Sequence, residues 1–565
     1  MISRQTDTRH ARRVLADSIV DRLAAWKQRY GTADTSGLEA LLSMIARRRC
    51  SGVDQLIRLH ETLVFLRAYP HAPRIARLAD RVLFSMAGLV AGLEAAGADL
   101  SPLEAPEVSG IAGTSLSAAF SYEVARRLSA RYRNLEIDWD GSEEEDRLGP
   151  VARRFVPLLE EDWPVEAHPP FRKWLHAAVP RGESELRWLL ERVKQLDLDD
   201  RARADLYEGL QLHLRWELRD SECSRSRLRV GKQPLYCHDR PLLKRRDVVL
   251  NEFLKGPRLP ISRLSPPEAR RILDIILDTS AVRYRELYGF THPDTGVFRA
   301  DAGRGVEVYF LGLPPAWRLP VRAYHSGLFV KNGVPAGYVE VLSLFDRAEV
   351  GFNLYYTFRE GESAWLYARL LRLFHQTLGV NVFSVDPYQV GHDNEEAVDS
   401  GAFWFYRKLG FRPVEPAVGR LLEREELRLG RNPEARTSPR ILRKLAAGYL
   451  LFEGPGAVAG MWDSFRVRNL GFAVERAAAR RHGGDPVRME RWAAARVRRA
   501  LGKEVTGPLV NCLSLIDDLE RWTPAEKYLL VAVLEAKYGP SEARYLRLMQ
   551  KHTRLRSACL SIGSR

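Results

Sequence analysis

Along the first 130 positions, apolar residues recur mostly at three- and four-residue steps. One run holds Val53, Leu56, Ile57, Leu59, Leu63, Val64 and Leu66, and another holds Ile75, Leu78, Val82, Leu83, Leu89 and Leu93. A helix of about 3.6 residues per turn lines such positions along one face. The pattern therefore predicts helices here, the second over 74–96 with Gly97 as its stop. Residues 183–223 and the last 130 or so read the same way. Near the end, Thr523-Pro-Ala-Glu526 predicts a capping box with proline in the first helical turn, and Gly539-Pro540 predicts the stop.

The texture changes between 268 and 425. After a helix over 269–277, the segments 307–311, 325–330, 337–342 and 350–356 are dense in β-branched and aromatic residues and predict strands. Lys331-Asn-Gly-Val-Pro335 predicts a hairpin turn, because Asn-Gly tolerates positive φ. A helix over 363–378 carries Tyr367, Leu370, Leu371, Phe374 and Leu378 on one stripe and ends at Gly379. A strand over 382–385 and a helix through 403–409 follow. These shifts divide the chain into a helical region 1–135, an acidic linker with a helical region and a basic segment over 136–264, a mixed domain 265–425 and a helical region 426–565. Pro257, Pro260, Pro266 and Pro267 mark the second boundary. The acidic segment 138–146 reads as a solvated linker.

Composition narrows the function classes. At 45% apolar and 28% charged residues, the 565-residue chain can bury sizeable cores. It has no apolar run of 18, so no membrane span is expected, and residues 1–13 lack the apolar stretch of a secretory signal. Five scattered cysteines make a poor disulfide framework and point to a cytoplasmic location. The net charge of +15 and the basic runs 225–232 and 244–246 keep a nucleic-acid partner open as one reading. Arginine is nonetheless spread along the whole chain among acidic residues.

The segment Gly401-Ala-Phe-Trp-Phe-Tyr-Arg-Lys-Leu-Gly-Phe411 closely resembles the signature of the GNAT (N-acetyltransferase) superfamily. Upstream, Phe358-Arg-Glu-Gly-Glu-Ser-Ala364 stands where that superfamily keeps its pyrophosphate loop, after a strand and at a helix N-terminus. The resemblance covers about 160 residues. It implies an α/β (α+β) mixed twisted sheet with helices on both faces, flanked by large helical regions. It also implies an acyl-CoA-dependent N-acyltransferase, with acetyl-CoA or another acyl-CoA as co-substrate and a small-molecule, peptide or protein amine as acceptor.

The chemistry supports the placement. A helix N-terminus offers unpaired N–H groups and partial positive charge to a pyrophosphate. The candidates are Arg359, Glu360, Gly361, Glu362, Ser363 and Ala364. The thioester must be polarised by a donor, which the resemblance implies is a backbone N–H of the central strand; Leu354 and Tyr355 are nearest. The resemblance assigns Tyr406 as the acid that protonates the leaving thiolate; its aromatic neighbours also allow it to be a packed core residue. Glu340, with Glu349 behind it, is the candidate base. The sequence departs from the family where Glu362 takes the place of a central glycine. Either the loop is reshaped, or Glu362 points away, or CoA does not bind there. Asp399 stands where relatives carry asparagine, and Asn394 lies five residues earlier as a further cofactor-side candidate.

His325 and His392 are lesser acid–base candidates. Cys223, Cys237, His238 and His213 lack zinc-ligand spacing, so no metal is expected. Two other functions stand beside the enzyme: a GNAT-like scaffold without turnover, and a basic helical protein that contacts nucleic acid.

Overall fold

The computed structural model describes residues 15–46, 48–141, 145–219, 222–231, 234–432 and 434–564. The basic N-terminal stretch 1–13 and part of the acidic segment, 142–144, lie outside them. The architecture is mixed α/β. Among the described residues, nine strands form one large sheet and three form a small one.

The large sheet comprises β4 (Ile261–Arg263), β5 (Phe298–Gly303), β6 (Val306–Leu311), β7 (Ala323–Lys331), β8 (Val334–Leu344), β9 (Arg347–Leu354), β10 (Val382–Val385), β11 (Arg412–Pro413) and β12 (Leu450–Glu453). The order is β11-β12-β10-β9-β8-β7-β6-β5-β4, antiparallel except for β9 with β10. The hairpin between β7 and β8 turns at Asn332 and Gly333, with φ of 51° and 76°, as the Asn-Gly pair requires.

Register decides which face each strand residue joins. Ser326 pairs with Glu340 and Glu340 with Gly351, so Tyr324, Ser326, Tyr338, Glu340, Gly351 and Asn353 share one face. The opposite face carries Phe329, Val339 and Phe352, packed on the helix Ser363–Leu378. That helix buries Tyr367, Leu370, Leu371, Phe374 and Leu378, each contributing roughly 1.5–3 kcal/mol, and Gly379 ends it at φ 72°. The helix Pro266–Ala281 covers the first face only toward β6 and β7, through Ile272, Ile276, Tyr309 and Leu328. Beyond Tyr338 that face is open.

Four expectations change. The helical reading of 1–135 and 136–264 is broken by the small antiparallel sheet of β1 (Ser115–Ala119), β2 (Leu135–Ile137) and β3 (His213–Glu217), ordered β1-β3-β2. In β3, Leu214 and Trp216 are buried between more exposed His213, Arg215 and Glu217, a period of two inside a stretch read as helix. The predicted 74–96 helix is two, Pro73–Leu83 and Met86–Glu94. In the C-terminal region, β12 inserts between β10 and β11, so the sheet extends past residue 425. Asp138, read as a solvated linker residue, is buried, accepting from Ser117 Oγ at 2.5 Å and Arg215 Nη2 at 3.0 Å. Among the described residues, no helix is long and apolar enough to cross a membrane.

Candidate functional site

β9 and β10 pair only through Arg347–Val382, Ala348–Phe383 and Glu349–Ser384. Beyond those pairs the strands diverge, and a cleft of about 440 Å³ opens in the gap. Glu340, Gly351, Leu354, Arg359, Ser363, Asn394 and Tyr406 line it together with Arg285, Gln389 and Glu396. Positions from β8, β9, the loop after it and the helices that follow thus meet on one cleft.

The backbone of β9 explains one assignment. Tyr355 N–H donates to Ala336 O at 3.0 Å, so Tyr355 is engaged with β8 and its side chain is buried under Arg283, 4.1 Å from the ring centroid. This overturns Tyr355 as a thioester donor. Strand alternation turns Leu354 N–H the other way, toward the gap. Two residues earlier, Phe352 N–H on that edge donates to Gln389 Oε1 at 3.3 Å.

Glu340 accepts a short hydrogen bond from Tyr324 Oη, which itself accepts from Gly289 N at 3.1 Å. Burial raises the Glu340 carboxyl above its ordinary value, and the Tyr324 hydrogen bond offsets part of that. Residue 289 must be glycine for this approach: a Cβ there would stand 2.4 Å from both Tyr324 Cε1 and Ser326 Oγ. Glu349 is not behind Glu340 in any relay; it pairs with Arg322 at 3.3 Å farther along the sheet.

Tyr406 belongs to the short helix Ala402–Arg407 and is 4% exposed. Its ring meets Phe405, Tyr367 and Phe411 edge-on at 5.2–5.6 Å. Burial raises its pKa, so the phenol stays protonated at neutral pH. Among the described residues, the Tyr367 and Tyr355 hydroxyls are buried without partners, whereas Tyr406 borders the cleft.

The pyrophosphate-loop candidates separate. Ser363, the first residue of its helix, and Arg359 face the cleft. Arg359 is held by an ion pair to Glu396 and lies 3.9 Å over the Tyr356 ring, so its charge is already partnered. Glu360 turns out to Lys27 at 2.6 Å and Gln28 at 2.9 Å. Gly361 N–H donates to Phe358 O at 2.8 Å, and Gly361 lies against the Tyr69 hydroxyl. Glu362 points inward, bound by Arg304 through two hydrogen bonds of 2.5 and 3.1 Å and by Leu243 N at 3.1 Å. Ala364 is buried in the core. Of the pyrophosphate candidates, the side chains of Glu360, Glu362 and Ala364 and the Cα of Gly361 are therefore corrected away from the cleft: Glu360 goes to an exposed ion pair and the other three to the interior. The first intrahelical donor is Leu366 N–H to Glu362 O at 2.9 Å, so the N–H groups of 363–365 have no acceptor within the helix. Asn394 caps the helix Glu395–Asp399, accepting from Ala397 N at 3.2 Å and donating to Tyr388 O at 3.0 Å.

Of the other candidates, His325 is buried and pushed down to about 4 by desolvation, and His392 lies exposed beside Asp393 at 3.6 Å. His238 packs between Tyr30, Tyr69 and Tyr236, and desolvation, with Lys331 and Arg304 nearby, pushes it to about 2. Among the described residues, all five cysteines are free thiols, and no group of three or more His, Cys, Asp or Glu could hold a metal. The first basic run turns largely inward, whereas Lys244 and Arg246 of the second are exposed. Arg225 pairs with Glu61 at 2.8 Å and Arg229 with Asp80 at 2.8 Å, while Arg227 donates to Phe84 O at 3.1 Å.

Tyr324, Gln389, Glu396 and Arg285 were not legible as site residues. Their membership follows from strand register and from the divergence of β10, and neither leaves a mark on the sequence. No family model, curated protein or solved structure matches the chain.

Proposed function

We propose that the protein is an acyl-CoA-dependent N-acyltransferase that works in the cleft between β9 and β10. The observation that carries this reading is the convergence of Glu340, the Leu354 edge of β9 and Tyr406 on one gap, with Ser363 at a helix start on the same cleft. The same gap carries the two segments that resemble the GNAT superfamily. When bound, the co-substrate supplies an activated acyl thioester.

The chain's own groups divide the work. Leu354 N–H faces the position of an acyl oxygen and would stabilise charge there. Glu340, its carboxyl raised above the ordinary value, accepts a proton from the acceptor's ammonium so that the neutral amine attacks, directly or through one water, while Tyr324 holds its orientation. Tyr406 stays protonated and serves as the acid for the departing thiolate. The helix-start N–H groups of 363–365 suit a phosphate. Arg359 reaches it only by releasing Glu396.

Isothermal titration of the full chain with acetyl-CoA, followed by thiol release with a panel of amines, tests the reading. Saturable binding with amine-dependent thiol release supports it. Absence of binding at millimolar concentration rejects it. The Arg359–Glu396 pair and the 4% exposure of Tyr406 favour one second reading, a binding module of the same architecture without turnover. Binding without thiol release would select that reading.

A further inference from the structure

Four charged side chains line the cleft: Arg285, Glu340, Arg359 and Glu396. Arg359 and Glu396 neutralise each other in their ion pair. Glu340 is held by the Tyr324 hydroxyl, which brings no charge to it. Arg285 is half-buried, and its guanidinium has no hydrogen bond, ion pair or ring contact among the described residues.

The backbone fixes Arg285 in this place. The helix Pro266–Ala281 closes with Arg285 N–H donating to Ser280 O at 3.0 Å, and Tyr284 takes a positive φ of 51°. Both neighbours of Arg285 are anchored on the side of the small sheet: Tyr284 packs against its core, and Glu286 accepts from Ser121 N at 3.0 Å. Arg285 is left to face the cleft. Arg283, in the same turn, shows what a structural arginine does here. It is buried, donates to Thr279 O at 3.0 Å and lies 4.1 Å over the Tyr355 ring.

Arg285 and Glu340 do not pair with each other, yet the Tyr338 phenol interacts electrostatically with both. Tyr338 and Glu340 are two residues apart on one face of β8, about 7 Å along the strand. The cleft thus holds a guanidinium and a carboxyl a short distance apart and unjoined. Their complement is a molecule that carries a cation and an anion at a similarly short distance. The planar fork of arginine suits a carboxylate, which it engages through two parallel N–H bonds.

We infer that the acceptor is a free amino acid, with its ammonium at Glu340 and its carboxylate on Arg285. This inference rests on the acyltransferase reading above. Arg285 touches none of the reacting atoms; it determines specificity. The N–C bond forms as the C–S bond breaks. Of the two protons that the ammonium loses, one goes to Glu340 and one ends on the thiol by way of Tyr406, and the carboxylate is unchanged.

The test compares thiol release by the full chain with acetyl-CoA and each common amino acid or its amide. The amide keeps the shape and removes the negative charge. At neutral pH more of the amide is free amine, so reactivity alone favours the amide. At least one amino acid should exceed its amide about tenfold in kcat/KM, mainly through KM. Arg285→Gln should lower that preference about tenfold, and Arg285→Lys should restore part of it, with acetyl-CoA affinity unchanged in both. The same amino acids are titrated by calorimetry, where one should saturate below about 10 mM and lose its binding in Arg285→Gln. Amides used as well as the acids, or a preference that survives Arg285→Gln, would overturn the inference. Weaker acetyl-CoA binding in Arg285→Gln would overturn it too, by placing Arg285 on the co-substrate. If acetyl-CoA does not bind or no amine releases thiol, the acyltransferase reading fails. Calorimetry then decides the ligand class by itself: amino-acid binding that needs Arg285 upholds it, and no such binding rejects it.

Discussion

The loop between β9 and the helix Ser363–Leu378 has two sides that differ in kind. On the inner side, the side chains are locked to the N-terminal helices and the sheet. Glu362 holds Arg304, with Lys331 at 3.9 Å, Thr357 and Arg225 meet on Glu61, and Glu360 reaches Lys27. Burial pushes the Glu61 carboxyl up, but Arg225 and its hydrogen bonds outweigh that and bring it to about 2. On the outer side, Arg359, Ser363 and Leu354 face an open cleft, and the facing carboxyl, Glu340, is held above its ordinary range. One loop thus separates charges paired in the interior from groups that border an open cleft. A carboxylate at the loop's centre is tolerated because it belongs to the first side.

Removing partners on the two sides should break this contrast or sharpen it. The largest effect is expected at Glu362→Ala, which leaves buried Lys331 and partly buried Arg304 without their counter-charge and should lower unfolding free energy by about 3–5 kcal/mol in urea melts. The matching outer-side change, Glu340→Ala, should stay within about 1 kcal/mol. Equal losses would erase the distinction.

Next, Tyr406→Phe should slow thiol release about a hundredfold while leaving acetyl-CoA affinity unchanged in calorimetry. A loss of stability without a selective loss of turnover would instead make Tyr406 a core residue.

Smaller shifts are expected at the Arg359–Glu396 pair. Glu396→Gln frees the guanidinium and should tighten acetyl-CoA binding by about 1 kcal/mol, and Arg359→Ala should weaken it by a similar amount. If neither changes affinity, the pair is structural and Arg359 returns to the inner side of the comparison.

The smallest effect concerns pH. A base acts only when deprotonated, so kcat/KM should rise with pH through an inflection above the ordinary glutamate range. Tyr324 stabilises the charged form, and Tyr324→Phe should move that inflection further upward. A downward move would mean that Tyr324 does not face the ionised carboxyl.

Local rules were legible in the chain wherever one element satisfied them alone. The stripe of the helix Ser363–Leu378, its Gly379 stop, the Asn332-Gly333 turn and the Thr523/Glu526 capping box are each set by periodicity or by one residue's backbone preference, and all appear in the structure. The neighbouring strands 337–342 and 350–356 were legible for the same reason, since a short turn forces antiparallel pairing. Strands held by distant partners were less so. β1 and β2 pair only with β3, nearly 80 or more residues away, and β12 finds its place between β10 and β11. The glycines at 448 and 454 that bracket β12 were the available signal.

The sequence by itself determined that a mixed segment of strands and helices lies in the middle of the chain. It also determined that 354 sits near a strand end, 359–364 before and at a helix start, 340 within a strand and 406 within a helix. Only the tertiary structure decided which of them face a ligand. Tyr355 and Leu354 are adjacent, yet β8 takes the N–H of one and the splay of β10 leaves the other facing the gap. Glu362 and Ser363 are adjacent as well, yet Arg304 draws one inward, and the helix start presents the other. Orientation within a pair of neighbours depends on partners far along the chain, and such partners are specified by packing and register, which no local pattern encodes.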